Sequence, residues 1–214
     1  PTFLPDSDMS DDQKPRISLR LRADRVRGFR CRHLIVVLEN PADPLNIGVV
    51  IRNANALGVD KVYIVDEEAL LPDDWQVMRQ TSWLSKTSAS AVKWSFVKTF
   101  PSTAACVAHL AKNGFDSVAT SPHLKGRMNV GLEAGDFTPF KRLAVWFGNE
   151  RQGLSSAALD TSRFCVNIPM FGIIESLNLG TSTGIVLYEV TKQRRAHQLM
   201  HWEKVVAKRV AREA

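Results

Sequence analysis

No stretch of this sequence stays apolar long enough to cross a membrane, which takes about 20 residues in a helix, because every hydrophobic run is interrupted well before that length. The first residues are polar and acidic, with Asp6, Asp8, Asp11 and Asp12, and lack the basic start and apolar core of a secretory leader. The expectation is a cytoplasmic protein with no membrane partner. Cysteine is scarce: Cys31, Cys106 and Cys165 are odd in number and widely spaced, which fits neither a disulfide framework nor a zinc site with paired ligands. They are read as reduced and structural. Neither GxGxxG nor the Walker A spacing is present, so a nucleoside-like ligand must be held in another way. No internal repeat or low-complexity tract is visible.

What is present is ordinary globular material with an uneven charge. The 214 residues, 44% hydrophobic and 23% charged, suffice for one main domain with appended helices. The net charge is +6 and concentrates at the two ends. Lys14 to Arg32 carries eight basic residues, Arg20, Arg22 and Arg25 among them, against Asp24 alone. At the far end Lys192, Arg194, Arg195, Lys204, Lys208, Arg209 and Arg212 outweigh Glu203 and Glu213. Two basic arms around a nearly neutral centre suit a chain whose extensions hold a polyanion. The alternative is that these are solvated helix faces. Arg20, Arg22, Arg25, Arg195, Lys204 and Lys208 are the candidate polyanion contacts.

In chain order, Pro1 to Pro15 reads as a mobile leader, and the Arg-rich segment after it as a short helix. His33 to Asn40 is a buried strand, PADPLN a turn-rich loop, Ile47 to Leu57 a helix stopped by Gly58, and Lys61 to Asp66 a strand. This unit has the length of a right-handed βαβ crossover, which implies a parallel sheet. The pattern repeats with a helix at Ser102 to Asn113 and strands at Phe115 to Thr120, Arg142 to Phe147 and Cys165 to Ile168. GNERQGLS opens a helix, and Thr181 to about Ala211 supplies the C-terminal one. The fold class is therefore α/β, with helices on both faces. Leu70 to Trp94 is less regular, and its tryptophans, Trp75, Trp83 and Trp94, read as lid or packing. In the C-terminal helix Leu199, Trp202 and Val206 form one stripe, fit to cover the core, pair with another protomer or lie along a nucleic acid.

Three polar loops fall at carboxyl ends of strands, where open parallel sheets bind ligands. The first carries Asn46 and Arg52, an amide and a guanidinium expected to project from the loop and the first helical turns. The second is FGNERQGLS, with Gly148, Glu150, Arg151 and Gly153. The third follows Ile168 and reads PMFGIIESLN, in which Pro169 restricts the backbone while Ser176 and Asn178 precede the last helix. Together they form a pocket hypothesis.

Taken in order, NPADPLNIGVVIRNANALGVDKVYIVD, FGNERQGLS and IPMFGIIESLNLGTSTGIVLYE resemble the three motifs of the SPOUT superfamily of RNA methyltransferases, in its SpoU or TrmH-like branch. The resemblance spans about His33 to Val190. It implies a parallel-sheet α/β domain over 33–190 with a C-terminal deep trefoil knot, flanked by a leader and basic helical extension at 1–32 and a basic helical extension at 191–214. It also implies a homodimer, S-adenosylmethionine as methyl donor, RNA rather than DNA as substrate, and methylation of a ribose 2′-hydroxyl without metal. Carried over, Asn46, Arg52, Glu150, Ser176 and Asn178 take the catalytic positions, while Thr120, Gly148, Ile168 and Leu177 line the donor pocket.

A ribose hydroxyl is a poor nucleophile, and positioning it against the donor is worth roughly 7–11 kcal/mol. Because guanidinium groups keep their proton in proteins, Arg52 is assigned to an RNA phosphate and the developing alkoxide. Proton loss is then assisted by that phosphate. The expected substrate is tRNA at a D-loop guanosine. Alternatives are another tRNA or rRNA nucleotide, or a noncatalytic RNA-binding factor that keeps the pocket.

Overall fold

The computed structural model describes residues 19–59, 61–123 and 128–213; the leader Pro1 to Pro15 lies outside them. Seven parallel strands among these residues form one sheet: β1 (Leu34–Glu39), β2 (Lys61–Val65), β3 (Phe96–Phe100), β4 (Asp116–Thr120), β5 (Asn129–Gly131), β6 (Leu143–Phe147) and β7 (Ser162–Asn167). Their order across the sheet is β3-β2-β1-β6-β4-β7-β5. The helices are α1 (Leu19–Val26), α2 (Pro44–Ala56), α3 (Trp75–Gln80), α4 (Ser82–Thr87), α5 (Thr103–Lys112), α6 (Ser156–Thr161) and α7 (Leu179–Glu213). None of these is long and apolar enough to cross a membrane.

Alternate residues of β1 serve opposite layers, as the two-residue period of a strand requires. Leu34, Val36 and Leu38 pack with Ile47, Val50, Ile51 and Ala54 of α2 and with Val186, Leu187 and Val190 of α7. Ile35 and Val37 face the other way, toward Cys106 and Leu110 of α5 and Ala158 of α6. Covered on both faces, β1 is buried throughout, which is why it reads as an unbroken apolar run.

Helix α2 begins three residues before the expected Ile47. Pro44 occupies its first turn, where a missing amide costs nothing, and the Asp43 side chain caps it by accepting from the Leu45 amide at 2.9 Å. Asn46 therefore projects from a helix and not from a loop. FGNERQGLS likewise differs from expectation. It closes on itself through paired backbone bonds between Asn149 and Gly153, at 3.1 and 2.8 Å, before α6 starts at Ser156. The segment from Leu70 to Trp94 is irregular only as far as Asp74 and then forms α3, α4 and a helical turn at Ala91–Trp94. Met78, Leu84, Ala91 and Val92 are buried, and Trp83 packs on the core while Trp75 and Trp94 stay largely exposed.

Helix α7 runs unbroken through position 190, so the basic extension continues the domain's last helix. Two of its cations bind backbone carbonyls of the domain. Arg194 is 7% exposed and donates to the carbonyls of Phe137 and Phe140 at 3.0 and 2.7 Å, and burial lowers its basicity. Arg195 donates to the Leu57 carbonyl at 3.0 Å, at the C-terminal end of α2. Leu199, Trp202 and Val206 are exposed, so their stripe does not cover the core of its own chain.

Candidate functional site

Strands β1, β4, β6 and β7 lie side by side in the sheet, and the chain leaving β4, β6 and β7 encloses a cavity of about 440 Å³. That volume suits a small organic ligand, for which roughly 300–1,000 Å³ is usual. Thr120 lies at the end of β4, Gly148 and Glu150 follow β6, and Ile168, Ser176, Leu177 and Asn178 follow β7. All seven line the cavity. Phe147, Val166, Leu179 and Val186 supply an apolar part of the wall, and Ser121, Asn149 and Ser182 a polar one.

The wall nearest α2 is a hydrogen-bonded chain. Asn46, 8% exposed, donates from its amide to Oε1 of Glu150 at 2.7 Å, and its own oxygen accepts from the Asn178 amide at 3.1 Å. The other Glu150 oxygen takes the Ala42 amide at 2.7 Å. Burial works against ionisation of Glu150, but these bonds outweigh it and hold the carboxyl below its usual value. Asn178 also caps α7, its oxygen accepting the Gly180 amide at 2.8 Å. Its amide and carbonyl thus join the start of α7 to the start of α2.

Arg52 sits apart from this group. It lies about two turns along α2 from Asn46, is exposed, makes no hydrogen bond or ion pair among the described residues, and does not line the cavity. Among the candidate polyanion contacts, Arg25 is exposed on α1 and Arg195 is engaged by Leu57. Arg20, Arg22, Lys204 and Lys208 fall on helical backbone, and their side chains lie outside the described residues.

Two residues of the site were not singled out from the sequence. Asn149 donates to the Asn40 carbonyl at 2.6 Å and accepts from the Arg151 and Gln152 amides at 2.8 and 3.1 Å, which shapes the loop around Gly148. Glu39, 3% exposed, accepts from the Thr103 hydroxyl at 2.5 Å and from the Ser155 amide and hydroxyl at 2.7 and 2.6 Å. It pins the far end of the same loop. The available signal was an acid ending an otherwise apolar strand, which must find partners if buried.

The model of the SpoU rRNA Methylase family matches residues 33–188. The tRNA (guanosine(18)-2′-O)-methyltransferase of Thermus thermophilus is 29% identical over 175 residues, 82% of each chain. A solved TrmH/SpoU tRNA modifying enzyme from A. aeolicus superposes with a TM-score of 0.67 at 27% identity, over 84% of this chain and 86% of the other. An AdoMet-bound rRNA methyltransferase from Sinorhizobium meliloti aligns with a TM-score of 0.63 at 26% identity, over 75% of this chain and 56% of the other.

Proposed function

Because the chain belongs to the SpoU rRNA Methylase family, we propose that it transfers a methyl group from S-adenosylmethionine to a ribose 2′-hydroxyl of tRNA, at a D-loop guanosine. The observation that carries this reading is the meeting of three loops at one cavity whose wall is tied together through Asn46, Glu150 and Asn178. The donor set fits the cofactor: apolar side chains for a purine and ribose, beside hydroxyls, amides and a carboxylate for a charged amino-acid end.

S-adenosylmethionine, when bound, supplies a methyl group on a positively charged sulfur. Thr120, Gly148, Ile168 and Leu177 are the residues that would hold it. Glu150 is a positioning residue, because both of its oxygens already accept N–H bonds. Ser176 lines the cavity and makes no hydrogen bond among the described residues, so its hydroxyl is available to the incoming ribose. Arg52, exposed on α2, is placed to meet a phosphate, and that phosphate would assist proton loss from the 2′-hydroxyl.

The reading extends to a homodimer and to a C-terminal knot in the 33–190 domain. Phe171 and Ile173, 96% and 98% exposed, precede α7 with Ile174, and Tyr188 is exposed on α7, an apolar surface suited to a second copy. The chain from Ile168 to Asn178 leads from β7, one strand from the sheet edge, to α2 over β1, the crossing a knot would use. Sedimentation as a monomer at micromolar concentration would remove the dimer.

Transfer of tritium from labelled S-adenosylmethionine to purified tRNA, followed by mapping of the modified ribose, tests the function. Label on a D-loop guanosine is the expected result. RNA binding without incorporation would leave a binding factor instead of an enzyme, and label on rRNA alone would move the substrate.

A further inference from the structure

The helices between β2 and β3 take no part in the cavity, yet the cations they carry have no acidic residue among them. We propose that the face built by α3, α4 and the single helical turn Ala91–Trp94 is a separate RNA-contacting surface, holding sugar–phosphate backbone at a distance from the reacting ribose. The proposal rests on the RNA methyltransferase reading and assigns that substrate a second place of contact.

Charge is the first observation. Between Asp74 and Asp116 the chain has no acidic residue, while Arg79, Lys86, Lys93, Lys98 and Lys112 all fall in this interval. Three of these cations meet in space. Arg79, Lys86 and Lys93 line one open depression together with Ser82, Ser85 and Ser90. Lys86 and Lys93 are exposed, and among the described residues they form no ion pair and the three serine hydroxyls make no hydrogen bond. Cations interleaved with free hydroxyls, and no carboxylate among the lining residues, are the donors that phosphate oxygens accept.

Aromatic side chains flank the same cations. Trp94, next to Lys93, is 47% exposed, and Trp75 is 36% exposed with the Arg79 guanidinium 4.6 Å from its ring centre. The Trp94 ring gives an unpaired base a platform on which to stack, while the Arg79 guanidinium already lies over Trp75. Placement completes the case. Helix α4 lies so close to α2 that a Cβ on Gly48 would fall 1.8 Å from Oγ1 of Thr87. The helix that supplies Ser82, Ser85 and Lys86 to the depression therefore packs directly on the helix that carries Asn46 and Arg52. A folded RNA held at the cavity spans the two helices easily. A protein partner would instead need acidic side chains to match the patch, and would leave RNA affinity unchanged when the lysines are removed.

Binding of a fluorescent tRNA transcript to the full chain, followed by anisotropy across a salt series, tests the proposal. The variants are the pair Lys86→Ala with Lys93→Ala and, as a control of equal charge, Lys112→Ala with Lys141→Ala, which lie on α5 and ahead of β6. Arg79 is left alone because its guanidinium donates to the Lys93 carbonyl. The first pair is expected to weaken binding about tenfold and to flatten the slope of log affinity against log salt by about 1.4–1.8, two phosphate contacts' worth. The control should change the slope far less, and S-adenosylmethionine affinity by calorimetry should stay the same in both. Equal losses in the two pairs, or no loss in the first, would overturn the surface. Because binding is measured without turnover, absence of methyl transfer by the parent protein would sink the enzymatic reading and leave this comparison standing.

Discussion

The side-chain nitrogen of Asn46 lies 2.7 Å from Oε1 of Glu150, although 104 residues separate the two in sequence. With the Ala42 amide on Oε2, the Glu150 carboxylate faces two donors and offers them nothing but acceptors. Glu150→Gln places an NH₂ where a donor already points. The expected cost is about 1 kcal/mol, near the low end for a lost bond because the group is partly open to water. Urea unfolding should show the loss, and calorimetry a weaker S-adenosylmethionine complex. Equal midpoints and equal affinities would mean that this clamp does not order the cavity wall.

The same clamp has a pH dependence of fixed sign. Burial opposes ionisation of Glu150, but the bonds from Ala42 and Asn46 prevail and hold its folded pKa below the ordinary carboxylate value. A depressed pKa contributes stability that is fully present above the unfolded value and is lost as pH falls through the folded one. The difference in unfolding free energy between the parent and Glu150→Gln should be constant from neutrality down to the ordinary glutamate range and shrink below it. A difference that grew on acidification would contradict the assignment. At neutral pH Glu150 is ionised, so no inflection of the activity profile near pH 7 should belong to it.

Five of the seven strands were legible as apolar runs, and the two that were not, Phe96–Phe100 and Asn129–Gly131, are the sheet's two edges. An edge strand is covered on fewer sides, so Lys98 and Thr99 stay half-exposed and the pattern never becomes continuous. The start of α2 was missed for a different reason: proline and aspartate mark both turns and helix starts, and only the cap geometry decides between them. The motifs placed Glu150, Ser176 and Asn178 at one cavity, but the long-range partners of Asn149 and Glu39 depend on how β1 and β6 pair, which spacing along one chain does not encode.

Gly148 tests how closely the loop must fold. A Cβ there would stand 2.2 Å from the carbonyl carbon of Gly153 and 2.4 Å from the Leu154 nitrogen, both backbone atoms that cannot rotate aside. Gly148→Ala should therefore open the loop at about 1–3 kcal/mol, the range for forced overpacking. It should also lower S-adenosylmethionine affinity tenfold or more while the circular dichroism spectrum is kept. Unchanged affinity would show that the donor does not depend on this close approach.

All three cysteines are buried, and burial in the first place, with the negative charge of Glu39 adding to it, pushes the Cys106 thiol up to about 12. Thiolate is the reactive form, so native protein should leave Ellman's reagent essentially unreacted at pH 8, and denaturant should release three thiols. Rapid reaction of one thiol in the folded state would show a local opening of the structure ahead of β1 or around α5 or β7.

Arg52 offers the cleanest separation of function from folding. It is exposed, bonded to nothing among the described residues, and sits on a helix where alanine is well tolerated. Arg52→Ala should therefore change stability by no more than about 0.5 kcal/mol and leave S-adenosylmethionine affinity alone. If the guanidinium meets the RNA phosphate that assists proton loss, kcat/KM for tRNA should fall at least a hundredfold, about 2.7 kcal/mol of transition-state stabilisation. Arg52→Lys keeps the charge but loses the two-pronged geometry, and should recover only part of that loss. Near-parent turnover by Arg52→Ala at saturating RNA and donor would remove Arg52 from the mechanism, and a lysine variant as active as the parent would reduce its role to charge.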